Sequence, residues 1–202
     1  MRVAIALVRL AAAALVVAAI TGTRITAAQP VNPVDFFGYF TIQSNVIAAA
    51  AFVVGAVGML RRQSLLPTLR GVAVVCIGLT GVVYNTVLVG LDGGVALLWA
   101  NTALHAVVPA LALLDRVLVA DRPPLRRSRL WWVVPYPLVW LAVVLVRGAT
   151  DGWVPYPFPN SENGYGSVAL ASLGVTAAVL VLAVLVWALS RVRVLRPLGP
   201  AA

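Results

Sequence analysis

The stretch SVALASLGVTAAVLVLAVLVWAL, residues 167–189, carries no charged side chain and is long enough to cross the hydrocarbon core of a bilayer as one helix. Five further runs of similar length and character occur at about 3–23, 36–60, 71–91, 95–114 and 130–146, the last being the shortest. Composition agrees with the runs, since 62% of residues are hydrophobic and only 10% charged. The expectation is an all-α polytopic membrane protein, a single six-helix transmembrane domain over residues 1–202, and not a soluble domain.

Charge sets the orientation. With the amino terminus in the cytoplasm, thirteen of the fifteen arginines fall on or near that face, among them Arg2, Arg9, Arg61, Arg70, Arg116, Arg122, Arg129 and Arg191. Arg24 and Arg147 alone lie at outer ends, where Asp35, Asp92, Asp151 and Glu162 also lie. This asymmetry predicts both termini inside. The net charge of +9 is therefore a topological signal and not a nucleic-acid footprint, although the basic loops suit contact with anionic lipids. All basic residues being Arg, with an excess of Ala, Val, Gly and Pro, points to a GC-rich bacterial genome and to multi-pass residence in the inner membrane. Thr26-Ala27-Ala28 before Gln29 resembles a signal-peptidase site. Arg9 interrupts the preceding run, however, and that run is long for a signal core, so the first segment is read as a retained helix.

The single Cys76 lies mid-helix, which excludes an intrachain disulfide and reads as a small core residue. No metal-ligand cluster, Walker or Rossmann motif is evident, and neither a metal nor a cofactor is expected. The inner connections, 61–70 and 121–129, read as plain charged turns broken by Pro67 and Pro123-Pro124, and the inner half of the bundle reads as almost entirely apolar. The outer loop 148–166 is different. Its Trp153-Val154-Pro155-Tyr156-Pro157-Phe158-Pro159 is stiff and aromatic, so Trp153, Tyr156 and Tyr165 are expected to form an interfacial belt, with a lid over an outward-facing cavity as the alternative.

Polar residues within the spans mark the functional candidate. His105, the chain's one histidine, lies in an apolar run where an ionisable group is costly. At 1.5 Å per residue, Thr41 lies about 7–8 Å in from Phe36 and His105 about 9 Å in from Trp99, or about 15 Å if its helix begins at Val95, so the two can share one depth. Ser44 and Asn45 share the face of Thr41, and Asn101 shares that of His105. Thr80, Tyr84 and Asn85 near the outer end of the third span, with Ser172 or Thr176 from the sixth, can join them in one pocket. Singly, each has a structural reading as a helix-to-helix or self-helix hydrogen bond.

Three blocks carry a family resemblance. Phe36-Phe37-Gly38-Tyr39-Phe40-Thr41-Ile42-Gln43-Ser44-Asn45, Trp99-Ala100-Asn101-Thr102-Ala103-Leu104-His105-Ala106-Val107-Val108-Pro109 and Gly152-Trp153-Val154-Pro155-Tyr156-Pro157-Phe158 resemble, in order, the androgen-induced-protein family and its bacterial Pr-six-Pr branch. Animal members are membrane hydrolases that cleave fatty-acid esters of hydroxy fatty acids with a Thr nucleophile and a His. The resemblance implies those roles for Thr41 and His105. Thr102 stands where animal members carry a second His, a departure that bears on substrate identity.

In that chemistry a neutral imidazole takes the Thr proton during attack on an ester carbonyl. Asn45 and Asn101 amides or the Tyr84 hydroxyl are the candidate oxyanion donors, and Arg147 either binds a substrate carboxylate or simply snorkels to the outer interface, the second being the commoner behaviour. No acidic partner for His105 is visible in the outer half; Asp115 beside Arg116 reads as a boundary charge or a local ion pair, so the third member must be an amide, hydroxyl or backbone carbonyl. Membrane lipids and a small lipid-ester substrate are the expected partners. The alternatives are a lipid or small-molecule binding or transport protein using the same pocket without chemistry, and a purely structural membrane protein. Haem ligation by two histidines and proton pumping along buried carboxylates are both disfavoured by the residue inventory.

Overall fold

In the computed structural model the residues described are 1–27, 32–90, 97–160, 164–192 and 194–195. They form α1 (Arg2–Ile25), a short α2 (Pro33–Gly38), α3 (Phe40–Leu60), and α4 (Pro67–Val83), which continues as a π-helical turn, Tyr84–Leu88. Beyond the next loop come α5 (Leu98–Thr102), a second π turn (Ala103–Val107) and α6 (Val108–Leu118), then a 3-10 turn (Arg127–Val133) leading into α7 (Pro135–Thr150), and finally α8 (Tyr165–Leu189). Six helices, Arg2–Ile25, Phe40–Leu60, Pro67–Leu88, Leu98–Leu118, Arg127–Thr150 and Tyr165–Leu189, are long and apolar enough to cross a membrane. The protein is an all-α, six-span membrane protein; among the described residues the only β pairing is one bridge, Val119 with Leu195. Asp92, Glu162, Arg193, Arg196 and the Ala28-Gln29 part of the cleavage-like sequence lie outside the described residues.

Several boundaries differ from expectation for identifiable reasons. The expected 36–60 helix is broken at Tyr39, whose extended ψ of 131° separates α2 from α3. The Asn32 side chain caps α2 by accepting from the Val34 N–H, and Pro33 opens the helix where a missing donor costs nothing. The Gln43 amide donates to the Phe37 carbonyl and the Trp140 indole to that of Gly38, each at 2.8 Å, so the break leaves these groups satisfied. The third span starts at Pro67 instead of 71, and the fourth runs on to Leu118 instead of 114. In both, arginines read as boundary charges turn inward and the helix continues past them. The fifth, expected at 130–146, is likewise extended to Thr150 because Arg147 is held by local carboxylates.

α4 is the hub, flanked by α3, α6 and α8, while α1 lies along α3 and also touches α5 and α6. Small buried residues, Ala6, Ala12, Ala13 and Ala19 on α1 with Ala48 and Ala56 on α3, let these two backbones approach, the usual solution where lipid removes any hydrophobic gain from helix pairing. Cys76 lies in the apolar cluster between α4 and α8 with Val75, Leu79, Val179 and Trp187. α7 is attached mainly through aromatic rings: Phe40 meets Tyr136 and Trp140, whose ring centroids are 5.4 and 5.3 Å away.

Trp153 of the outer loop lies on Gly38, where an added Cβ would meet its ring at 2.5 Å. Gly38→Ala is therefore expected to push the loop off α2 and to cost about 1–3 kcal/mol of stability. A lowered unfolding midpoint in detergent, with altered tryptophan emission, is the outcome to look for.

The inner half corrects the sequence reading. It is not almost entirely apolar, and 121–129 is not a plain turn. Arg9, Arg70, Arg116, Asp121 and Arg122 are all buried there. Asp115 does form an ion pair, but across helices and not with its neighbour Arg116, since Arg9 reaches it at 2.8 Å.

Candidate active site

Thr41 occupies the first turn of α3, where backbone N–H groups have no partner within the helix. The Tyr156 hydroxyl supplies one, accepting from the Thr41 N–H at 3.2 Å and lying 3.2 Å from Thr41 Oγ1. Tyr156 is held in turn by rings, stacked on Phe158 and edge-on to Tyr39. Burial pushes its phenol up to about 12, so it is a neutral O–H donor at ordinary pH. The amino-terminal end of α3 adds a partial positive charge beside Thr41.

His105 reaches the same hydroxyl from the second π turn. Its Nε2 lies 3.2 Å from Thr41 Oγ1 and its Nδ1 3.0 Å from the Asn101 carbonyl oxygen. A carbonyl only accepts, so Nδ1 carries the hydrogen and Nε2 presents its lone pair to the Thr41 O–H.

The local backbone follows from Pro109, which has no N–H to give the His105 carbonyl four residues earlier. The Asn85 amide, on the first π turn, donates to that carbonyl at 3.0 Å and to Gly81 at 2.7 Å. Gly81 admits this approach, since a Cβ there would come within 2.9 Å of Pro109. The two widened turns thus face each other. Tyr84 stacks on the His105 ring at a centroid distance of 3.8 Å, and the Asn101 amide fixes Tyr84 by donating to its hydroxyl at 2.6 Å. Widened turns of this kind recur at functional sites.

Thr41, Tyr84 and Tyr156 stand at the wall of a cavity between α4, α7 and α8, about 850 Å³ counting its open mouth. Its walls are otherwise largely apolar, with Leu79, Val83, Leu138, Leu141, Val175 and Leu180 among them, and with Ser172 and Thr176 from α8. Such a lining suits an acyl chain with its polar group beside Thr41.

The structure therefore brings together Thr41, His105, Tyr84, Asn101 and Asn45, although the last two act indirectly. Asn45 is fully buried and spends its amide on the Thr41 and Leu104 carbonyls, at 2.8 and 3.1 Å, which ties α3 to the His105 turn. Ser44 bonds Thr80 at 2.7 Å and links α3 to α4 in the same way. Asn101 contributes its carbonyl to His105 and its amide to Tyr84, so neither asparagine amide is directed at a substrate oxygen.

Arg147 does not join the group. Its guanidinium bonds Asp35 at 2.8 Å and Asp151 at 2.7 Å and lies 4.3 Å over the Trp153 ring, strapping α2, α7 and the outer loop together. Hydrogen bonding from Arg147 holds the Asp151 carboxyl below its usual range. Tyr156, expected only as a belt residue or part of a lid, is a member of the site. Three prolines within 155–159, which stiffen the chain on both sides of one tyrosine, are the sequence signal that could have marked it. Trp153 packs on Gly38 and Arg147, and Tyr165 is exposed. No protein-family model, curated protein or solved structure matches the chain.

Proposed function

We propose that the protein is a threonine hydrolase embedded in a bacterial cell membrane that cleaves lipid esters, of the kind found in fatty-acid esters of hydroxy fatty acids. The observation that carries this reading is the hydrogen-bonded series Asn101 carbonyl, His105, Thr41, whose last member lines a largely apolar cavity. The resemblance of the three sequence blocks to the androgen-induced-protein family supports it.

His105 Nε2 takes the Thr41 proton as Oγ1 forms a bond to the ester carbonyl carbon. The resulting oxyanion is met by the Tyr156 O–H and the positive end of α3; Tyr84, which accepts from Asn101, keeps its own hydrogen as a second donor. Collapse breaks the bond to the alkoxy oxygen, which leaves with the proton from His105, and Thr41 holds the acyl group as an ester. Water then attacks with His105 as base, releasing the fatty acid and restoring the Thr41 hydroxyl.

A binding or transport protein would have no need to fix the imidazole tautomer toward a hydroxyl, which is why hydrolysis is preferred over passive use of the cavity. Labelling of the purified protein by a fluorophosphonate lipid probe tests the choice. Wild type should label, and Thr41→Ala and His105→Ala should not; an unlabelled but folded wild type would sink the hydrolase reading.

Tyr156→Phe should lower kcat by about 10²–10³-fold with a smaller change in KM, as for loss of one oxyanion donor. Lowered thermal stability with normal kcat would instead assign the hydroxyl to capping α3.

A further inference from the structure

We infer that the inner end of the bundle holds a second site, built to bind a phosphate group carrying two negative charges. Four arginines meet two carboxylates there. Arg9 bonds Asp115 and Asp121, at 2.8 and 2.6 Å, and Arg70 and Arg122 bond Asp121 at 3.1 and 2.7 Å. Arg122 also donates to the Arg116 carbonyl at 2.6 Å and the Val119 carbonyl at 3.0 Å. Those contacts account for both acids and leave the cluster with a formal excess of two positive charges.

That excess is centred on Arg116. Its residue is only 3% exposed, and none of its three guanidinium nitrogens has a hydrogen-bond partner among the described residues. Arg70 Nη1 and Arg122 Nε share this condition. Guanidinium does not shed its proton to escape burial, so an unpaired one in a dry setting is a standing cost that a matching anion removes. All three arginines line one cavity of about 320 Å³ counting its mouth, and Asp115, which Arg9 holds, lines it with them. In the sequence the other four acids, Asp35, Asp92, Asp151 and Glu162, belong to the outer segments.

A phosphate monoester matches the site on charge, by cancelling the excess of two, and on donor chemistry, because planar guanidinium forks pair their N–H groups with phosphate oxygens. Phe52, Val74 and alanines 48, 51, 73 and 112 make the remaining wall apolar. The phosphate can arrive free or as the headgroup of an anionic lipid from the inner leaflet. Gly55 belongs to the same construction, since a Cβ there would meet Arg70 Nη2 at 2.8 Å.

The full chain, delipidated in neutral detergent, is titrated with inorganic phosphate and, separately, with dioctanoyl phosphatidic acid, using dioctanoyl phosphatidylcholine as control. The unfolding midpoint should rise by several degrees with at least one phosphate source and not with the control. A response to inorganic phosphate identifies a soluble ligand, and a response to phosphatidic acid alone identifies the lipid headgroup. Arg116→Met should abolish the rise while unfolding no lower than phosphate-free wild type, because it removes an unpaired buried charge. Arg116→Lys, which keeps the charge and loses the fork, should need at least tenfold more of the same phosphate compound for the same rise. No rise in wild type with either source, or an equal rise in Arg116→Met, overturns the site. The readout is independent of Thr41 and of any hydrolysis.

Discussion

Replacing Thr41 by alanine is expected to reduce lipid-ester hydrolysis to background, and replacing His105 by alanine to reduce kcat by about 10²–10⁴-fold, the usual worth of general-base assistance. Without Oγ1 there is no atom to carry the acyl group. Without the imidazole the hydroxyl must ionise unaided in a poorly solvated pocket. Thr41→Ser keeps the oxygen 3.2 Å from His105 Nε2 in at least one rotamer and should retain measurable turnover. The measurement is release of free fatty acid from a hydroxy-fatty-acid ester in mixed micelles. A binding protein would show no product from any of these variants, and an enzyme with its nucleophile elsewhere would be indifferent to Thr41.

The second large effect concerns stability. Asp121→Asn preserves shape and removes the one charge that Arg9, Arg70 and Arg122 share. Loss of one member of a buried ionic set leaves its partners uncompensated, at a cost of about 3–5 kcal/mol, which should appear as a much lower unfolding midpoint in detergent.

The same carboxylate sets a pH dependence. Burial opposes its ionisation, but the charges of Arg70, Arg9 and Arg122 overcome that and hold its pKa at about 2, below the ordinary 3.8. A carboxyl whose folded pKa is depressed stabilises fully above the unfolded value and loses that contribution as pH falls through the folded one. Wild type should therefore lose this part of its stability between about pH 4 and pH 2, and Asp121→Asn should lack that component. An acid profile identical in the two proteins would remove Asp121 from the network's energetics.

The six spans were legible because a helix in lipid leaves a run of about 20 apolar residues. The chain's apolar runs also located every one of them to within a few residues. Thr41, His105 and Asn101 were legible for a related reason: helical periodicity places Asn101 one turn before His105, and counting from helix ends gives comparable depths. The roles inside the group were less so. Asn45 and Asn101 looked like donors to a substrate, but their amides are spent on carbonyls and on Tyr84, partners that no sequence spacing reveals.

Tyr156 was hidden by an adequate competing account, since an aromatic, proline-rich outer loop is also what an interfacial belt looks like. The buried ion cluster was hidden by the topology signal itself. Arginines at inner helix ends satisfy the charge rule whether they face water or the interior, so they carry no information on burial. The usable hint was the repeated Asp-Arg pair, Asp115-Arg116 and Asp121-Arg122, whose acids, the only two on the inner side, meet arginines from two other segments, Arg9 and Arg70.

The proposed hydrolysis requires Thr41 Oγ1 to be an activated nucleophile. Peptide mass spectrometry of the protein after reaction with the fluorophosphonate lipid probe tests this at the level of the atom. The phosphonyl adduct is predicted on the peptide containing Thr41, with fragmentation placing it on that residue and not on Ser44. An adduct on Ser44 or any other hydroxyl, or none at all on folded protein, would contradict it.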